Sequence, residues 1–139
     1  MAQAGAQRSR CPIAISLDIF GDRWSLLIVR DMLFNGATSF SDFQNAEEAI
    51  ASNILADRLE RLARSGIIDT RPDPADGRRK LYTLTAKGRE LGPVLCEIVQ
   101  WSARHHDTAA PPEVVAAMAA DRDGFLAALA EAGGLKKDE

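Results

Sequence analysis

Hydrophobic residues recur at helical spacing along most of the chain. A first helix is predicted from Pro12, a favourable first helical residue, to Gly21. A second helix is predicted to follow, with Asp22 as its N-cap and with Asn35-Gly36 as its stop. Its apolar residues surround almost the whole helix, which indicates a central, buried position.

The next segment predicts a short helix followed by a longer amphipathic one. Thr38-Ser39 is expected to cap a helix from Phe40 to about Ala46, and a stronger helix runs from about Ala51 to Ser65. The buried side of this longer helix is predicted to consist of three residues, Leu55, Leu59 and Leu62. At 100° per residue its opposite face carries polar and small residues, namely Asn53, Ala56, Asp57, Glu60, Arg61 and Arg64.

The hydrophobic period then changes from 3.6 to 2. Two strands are predicted over 67–71 and 80–85, and the Pro-, Gly- and Asp-rich segment 72–79 is expected to be a long loop with a basic tip. A helix bent at Gly92-Pro93 should follow from Thr85 to about His106. After a break, one Ala-rich helix is predicted over 113–132.

This order of elements predicts a mainly α protein with a small β-hairpin (α+β), arranged as a winged helix-turn-helix. We expect a flexible arm over 1–10 and the winged helix-turn-helix domain over 11–107. Residues 108–139 should form a Pro-containing linker, an Ala-rich C-terminal helix and a tail. In such an architecture one helix can lie in the DNA major groove, and the hairpin tip can reach adjacent phosphates or the narrow minor groove.

Composition at first argues against a nucleic-acid partner, because the 139 residues carry a net charge of −3. The charge is unevenly distributed, however. Residues 58–89 contain nine basic and four acidic side chains, a local charge of +5 against −8 elsewhere. The apolar fraction excludes a wholly disordered chain, and no apolar run approaches the roughly 20 residues of a membrane span. With two cysteines and no signal-like N-terminus, we expect a cytoplasmic protein.

The candidate DNA contacts lie on the second helix of the predicted helix-turn-helix, at its preceding cap and in the basic tip: Ser39, Ser52, Asn53, Asp57, Arg58, Arg61, Arg78, Arg79 and Lys80. Ser52 and Asn53 are the best donors to base edges or phosphates. Asp57 is expected to accept from a cytosine amino group or to pair with Arg61. Arg58 is placed either for a phosphate contact or for a structural ion pair.

Several separated motifs resemble those of the HxlR-type transcriptional regulators, winged-helix proteins related to the MarR regulators. In order they are Cys11-Pro12-Ile13, Gly21-Asp22-Arg23-Trp24-Ser25-Leu26-Leu27-Ile28, Phe40-Ser41-Asp42-Phe43, Ile54-Leu55-Ala56-Asp57-Arg58-Leu59 with Leu62 and Gly66, and Tyr82-Thr83-Leu84-Thr85 with Gly88 and Leu91. The resemblance covers roughly residues 10 to 105. This chain departs from the family pattern in two places. The first turn of its recognition helix has no Arg or Lys, and it has an extra acidic C-terminal helix.

The resemblance implies a homodimer, formed by the N- and C-terminal helices, on a pseudo-palindromic double-stranded DNA operator. It also implies that an acidic wing residue, here Asp76, orients Arg78. Some regulators of this type use a cysteine near the position of Cys11 to sense oxidants, quinones or aldehydes. The helix start at Cys11, with Arg8 and Arg10 nearby, favours a thiolate there, although a packing or capping cysteine is the alternative.

Four aromatic residues are candidates for an effector pocket, with core packing as the alternative: Phe20, Trp24, Tyr82 and Trp101. Cys96 is expected to be buried, and the adjacent His105 and His106 do not have metal-ligand spacing. No catalytic set, metal site or cofactor motif is present, so we expect no enzyme. The sequence predicts a DNA-binding transcriptional regulator, more typical of a repressor, with a winged-helix protein-interaction module that does not bind DNA as the alternative.

Overall fold

The computed structural model describes residues 9–134, which form eight α-helices and one two-stranded antiparallel sheet. Residues 1–8 of the expected arm and residues 135–139 of the expected tail lie outside the described residues. The elements, in chain order, are α1 (Pro12–Phe20), α2 (Ser25–Asn35), α3 (Phe40–Gln44), α4 (Ser52–Arg64), β1 (Ile68–Asp73), β2 (Asp76–Leu84), α5 (Ala86–Arg89), α6 (Gly92–His105), α7 (Pro112–Ala120) and α8 (Arg122–Ala132).

Helix α2 lies at the centre of the molecule. It buries Ile28, Val29 and Phe34, and it packs against α4, β2, α6 and α8. Its C-terminal stop is the predicted one, because Gly36 adopts the left-handed conformation with φ 69°. Asp22 is not the N-cap residue itself, but its carboxylate accepts the N–H groups of Trp24 and Ser25 and so caps the same helix end. The predicted fold class, mainly helical with a small hairpin, is confirmed.

Helices α3 and α4 form the helix-turn-helix. The side chain of Ser39 accepts the N–H of Asp42, and the Asp42 carboxylate accepts the N–H of Ser39, which is the reciprocal capping box that begins α3. On α4 the predicted buried side is confirmed, since Leu55, Leu59 and Leu62 are all buried. This apolar seam fixes the rotation of α4 about its axis and leaves the opposite face open to solvent.

The predicted long loop over 72–79 is wrong. The two strands continue through it and leave only Pro74 and Ala75 between them, and Pro72 pairs with Lys80. Proline is tolerated here because each strand of a two-stranded sheet has an unpaired edge. The register shifts between Pro72 and Asp73, and the Asp73 carboxylate accepts the N–H of Ala75 at 2.9 Å to close the turn.

Two predicted helices are each divided. Thr85 caps a helix as predicted, accepting the N–H of Gly88, but that helix ends at Arg89 and α6 begins only at Gly92. The Gly-Pro pair therefore starts a new helix instead of bending a continuous one, in keeping with the preference of proline for a first turn. The expected single last helix is broken at Asp121, whose carboxylate accepts the N–H of Gly124 and caps α8.

Helices α7 and α8 pack onto the same core as the winged helix-turn-helix. Met118 of α7 and Leu129 of α8 are buried within the main hydrophobic cluster. Leu126 approaches the backbone of Gly92 so closely that a Cβ at Gly92 would lie 3.1 Å from Leu126 Cδ2. Among the helices of residues 9–134, none combines the length and apolar content needed to cross a bilayer.

Candidate nucleic-acid interface

The first turn of α4 is open to solvent. Ser52 and Asn53 are exposed, and Ala51, which precedes the helix, provides no side-chain cap. The first turn contains no acidic residue. Unpaired N–H groups and the positive end of the helix dipole therefore point outward there, next to two short polar side chains.

Two predicted ion pairs lie further along the exposed face of α4. Arg61 Nη1 is 3.8 Å from Asp57 Oδ2, and Arg64 Nη1 is 3.4 Å from Glu60 Oε2. All four side chains retain substantial exposure, so these pairs are screened by solvent and contribute little to stability. A polyanion such as DNA could therefore draw the two arginines away from these ion pairs at little cost in stability.

Arg58 forms the structural ion pair that was one of its two alternatives. Its Nε donates to Asp22 Oδ2 at 2.9 Å, and its Nη1 donates to Asp57. Burial alone would raise the pKa of Asp22, but hydrogen bonds from the Ser25 hydroxyl, the Trp24 N–H, Arg58 and the Ser25 N–H lower that pKa to about 2. The pair fastens α4 to the link between α1 and α2.

Ser39, one of the candidate DNA contacts, is buried at the start of α3. Its hydroxyl lies 3.2 Å from the N–H of Asp42 and 3.2 Å from the hydroxyl of Ser41. The pKa of Asp42 is lowered, chiefly by the N–H of Thr38 and, after the opposing effect of burial, by the N–H of Ser39. In this structure the Ser39 side chain orients the first helix of the motif.

The basic tip lies on the hairpin that we call the wing (residues 68–84). Arg78 is 93% exposed, and its backbone N–H and Nε approach Asp76 Oδ1 at 3.2 and 3.4 Å. Arg79 and Lys80 are exposed as well. Three consecutive cationic side chains therefore lie on β2 just after the turn, the first of them beside the acidic residue expected to orient it.

The wing is attached to the helix-turn-helix at its base. Tyr82 N–H donates to the carbonyl of Thr38 at 2.8 Å, and Ser39 forms an isolated antiparallel bridge with Leu81. The charge of Arg79 also contributes to lowering the pKa of Asp42 on α3. These contacts hold the base of the wing against the start of α3.

A second arginine, which the sequence pattern does not single out, ties α2 to the turn before α4. Arg30 donates through Nη1 and Nη2 to both carboxylate oxygens of Glu48, at 2.8 and 2.9 Å, and through Nε to the buried Asp31. The hydrogen bonds from Arg30 are the largest cause that lowers the pKa of Glu48, and against the opposing effect of burial that pKa falls to about 2. No sequence signal identifies this pair, because its partners are 18 residues apart and lie on separate elements.

The turn between α3 and α4 also contains Ala49, a non-glycine residue with φ 58°. This left-handed backbone is disfavoured for residues that carry a Cβ. It redirects the chain into α4 within a few residues of Glu48. The ion pair and the turn together set where α4 begins.

The four aromatic candidates occupy different surroundings. Tyr82 is buried against Phe43 with an edge-on ring geometry and a centroid distance of 5.9 Å. Trp24 lines a small cavity together with Ile28 and Phe43, whereas Trp101 is exposed on an open surface of α6. Phe20 is half-buried at the end of α1.

The cysteines differ in accessibility. Cys11 precedes α1 and is exposed, while Cys96 is fully buried in α6 as predicted. Burial raises the pKa of the Cys96 thiol. Within residues 9–134, no group of three or more His, Cys, Asp or Glu side chains has a metal-binding arrangement.

A comparison with protein families matches residues 19–110 to the HxlR-like helix-turn-helix family. The match includes α2, both helices of the motif, the wing and α6. The chain therefore belongs to the HxlR-like helix-turn-helix family, and it is a transcriptional regulator of the helix-turn-helix type.

Named relatives and solved structures agree with this assignment. The chain is 35% identical over 97 residues to the uncharacterized HTH-type transcriptional regulator YvaP of Bacillus subtilis, covering 69% of this chain and 89% of that protein. The crystal structure of PA1607, described as a transcription-factor candidate, matches with TM-score 0.66 and 41% identity, over 75% of this chain and 71% of that one.

A third relative is known in a ligand-bound state. The reduced form of the transcriptional regulator YodB from B. subtilis matches with TM-score 0.57 and 29% identity, over 71% of this chain and 97% of that one. The quinone-bound form of YodB matches with TM-score 0.54 and 28% identity.

Proposed function

We propose that this protein is a repressor that binds a pseudo-palindromic DNA operator as a homodimer and is released by a small molecule or by thiol modification. The observation that carries the proposal is the open first turn of α4 beside a wing with three exposed cations. We assign DNA binding to the unit formed by residues 11–107.

In this proposal α4 enters the major groove. Ser52 and Asn53 meet base edges or phosphates, and the uncapped N–H groups of the first turn favour a phosphate oxygen. Asp57 follows one turn after Asn53 and Arg61 a further turn later on the exposed face, within reach of base edges or of the flanking backbone. Leu55, Leu59 and Leu62 hold this face outward by anchoring the opposite one.

The wing contacts the phosphate backbone beside the site of α4. Arg78, Arg79 and Lys80 are exposed cations, and side chains of this kind are the usual donors to phosphate oxygens beside the groove that a reading helix occupies. Asp76 restrains Arg78 at the turn. These contacts add affinity on any sequence and leave specificity to α4.

The homodimer is proposed from apolar side chains that remain exposed. Ile13 and Leu17 on α1 are 71% and 56% exposed, and α6 adds Val94, Ile98 and Trp101. Large apolar side chains that face solvent on two helices are typical of a protein–protein interface. We propose that these five residues meet their counterparts in a second copy and set the spacing of the two α4 helices.

A response to small molecules is proposed because YodB has been solved in quinone-bound and diamide-treated forms. In this chain the exposed Cys11 is the candidate for modification, and the α6 surface beside Trp101 is the candidate for non-covalent binding, in competition with the second copy. Cys11 precedes α1 of the proposed dimer surface, and Trp101 belongs to that surface. A modification there would alter the separation of the two α4 helices and hence operator affinity.

A salt titration of binding to a mixed-sequence 30-base-pair duplex tests the DNA proposal. The wild type should bind tightly at low salt and lose affinity steeply as salt rises. Replacing Arg78, Arg79 and Lys80 together by Gln should weaken binding on every duplex. It should also lower the slope of log K against log salt by about 0.9 for each phosphate that the wing no longer neutralises.

The control is Arg122→Gln, which removes a cation from α8, outside the proposed interface. It should leave the slope unchanged. A wild type with no affinity for duplex at low salt would contradict the DNA proposal and favour the protein-interaction module instead.

A further inference from the structure

Arg58 belongs to α4, but its side chain is held on the protein and is only 19% exposed. Its Nε donates to Asp22 Oδ2 at 2.9 Å, and Asp22 lies in the short link between α1 and α2. A cation in the middle of the candidate reading helix is therefore engaged by a carboxylate from outside the helix-turn-helix.

Asp22 is a fixed anchor. Its Oδ2 also accepts the N–H groups of Trp24 at 2.9 Å and Ser25 at 3.1 Å, and its Oδ1 accepts the hydroxyl of Ser25. Ser25 is buried in the first turn of α2. Because backbone and side-chain groups of the central helix hold the carboxylate, Arg58 is bound to a rigid position and not to a mobile surface residue.

From this anchor a row of alternating charges leads to the exposed face of α4. Arg58 Nη1 donates to Asp57 Oδ2, and the same oxygen lies 3.8 Å from Arg61 Nη1. The side chains of Asp57 and Arg61 are 50% and 41% exposed. The side chains that α4 offers to DNA are thus arranged by an ion pair that begins 36 residues earlier in the chain.

We propose that Asp22 is a positioning residue that determines the sequence specificity of α4 by keeping Arg58 on the protein. With Arg58 held, Asp57 and Arg61 meet the base edges in one arrangement. Without Asp22, Arg58 keeps only its contact with the half-exposed Asp57 and can turn to solvent as an additional cation that contacts phosphates on any sequence. This inference rests on the proposed DNA-binding function and adds which residue positions the side chains of α4.

Asp22→Asn tests the inference with little risk to folding, because asparagine still accepts the N–H groups at the start of α2 but loses the charge that holds Arg58. On the mixed-sequence duplex, affinity should rise and the salt slope should steepen by about 0.9, the value of one additional phosphate contact. A second duplex is the best one that the wild type recovers from a randomised pool. The ratio of affinities for this duplex and the mixed duplex should be about tenfold lower for Asp22→Asn than for the wild type, which is the order of one base contact.

Glu47→Gln is the matched control, since it makes the same change of charge at an exposed residue in the turn before α4. It should change neither the slope nor the preference. If Asp22→Asn behaves like Glu47→Gln, the effect is one of net charge alone and the inference is wrong.

Arg58→Gln is the second variant and leaves the capping of α2 untouched. Because Arg58 is not a phosphate contact in this proposal, the slope on the mixed duplex should stay at the wild-type value while the preference falls. A slope reduced by about 0.9 would mean that Arg58 contacts phosphates in the wild type, which overturns the inference. A wild type that binds no duplex would instead refute the proposed function, and this inference with it.

Discussion

At the scale of single residues, two carboxylates hold the arginines that frame the helix-turn-helix. Asp22 holds Arg58 on α4, and Glu48 holds Arg30 on α2 at 2.8 and 2.9 Å. The pKa of each carboxyl group is lowered to about 2, so both groups are ionised in the folded protein at neutral pH. Hydrogen bonds with a charged partner are stronger than neutral ones, and they fix orientation as well as distance.

Cys11 gives a prediction at this scale. Treatment with N-ethylmaleimide should add one adduct, at Cys11, because Cys96 is fully buried. The adduct lies at the start of α1, two residues before Ile13 of the proposed dimer surface, and should weaken operator binding about tenfold. Mass spectrometry identifies the adduct, and a binding titration before and after treatment measures the effect.

Cys11→Ser is the control for this experiment. Its operator affinity should match the untreated wild type and should not respond to the reagent. Loss of binding by treated Cys11→Ser would exclude Cys11 as the responsive thiol.

The sequence predicted residue contacts well where the partners are close along the chain. The pairs of Asp57 with Arg61 and of Glu60 with Arg64 follow from their spacing of four residues, and both are present. The partner of Arg58 could not be chosen in advance, because Asp22 approaches it only after α2 and α4 pack together. Ser39 was predicted both as part of a helix cap and as a DNA contact, and the cap is confirmed by its reciprocal hydrogen bonds with Asp42.

At the scale of elements, the period of the hydrophobic pattern was most informative for α4. Its seam of Leu55, Leu59 and Leu62 repeats at helical spacing, so both its extent and its buried side were predicted. The wing was predicted less well. Turn-forming residues suggested a loop from 72 to 79, but cross-strand pairing continues to Asp73 and Asp76, and composition does not report pairing.

Alanine-rich composition concealed the break between α7 and α8. Helical propensity favours one continuous helix there. Asp121 ends that helix because its carboxylate caps the next one, and the two helices then pack separately on α6. A local capping residue, together with packing on α6, therefore outweighed the helical propensity of the alanine-rich segment.

Contact between α8 and the end of α2 gives the prediction at this scale. Gly36 has φ 69°, and a Cβ there would lie 2.5 Å from the carbonyl oxygen of Gly133, just after α8. Gly36→Ala should therefore lower the free energy of unfolding by about 2 kcal/mol, from the left-handed backbone and the collision together. Urea unfolding followed by circular dichroism measures the difference.

Gly66→Ala is the matched control. Gly66 also has a left-handed backbone, with φ 79°, but a Cβ there would meet nothing closer than the Lys87 side chain at 3.8 Å, so only the backbone cost of about 1 kcal/mol should appear. Equal effects of the two substitutions would contradict the packing of α8 against α2.

At the scale of the whole molecule, the uneven charge corresponds to a division between surfaces. The segment 58–89, with its charge of +5, contains the C-terminal half of α4 and the whole wing, and the hydrogen bond from the Tyr82 N–H to the Thr38 carbonyl joins the wing to the start of the helix-turn-helix. Exposed apolar residues lie elsewhere, on α1 and α6. This arrangement matches the proposed function, in which one surface binds DNA and another binds a second copy.

Selection of duplexes from a randomised pool, followed by sequencing, tests the proposed division of surfaces most directly. Two α4 helices related by a two-fold axis should recover an inverted repeat whose half-sites lie about 10 base pairs apart, centre to centre. Ile98→Asp, which introduces a charge into the proposed dimer surface, should recover no inverted repeat. Recovery by the wild type of a single asymmetric site, or of no enriched sequence, would contradict a dimeric, sequence-reading repressor.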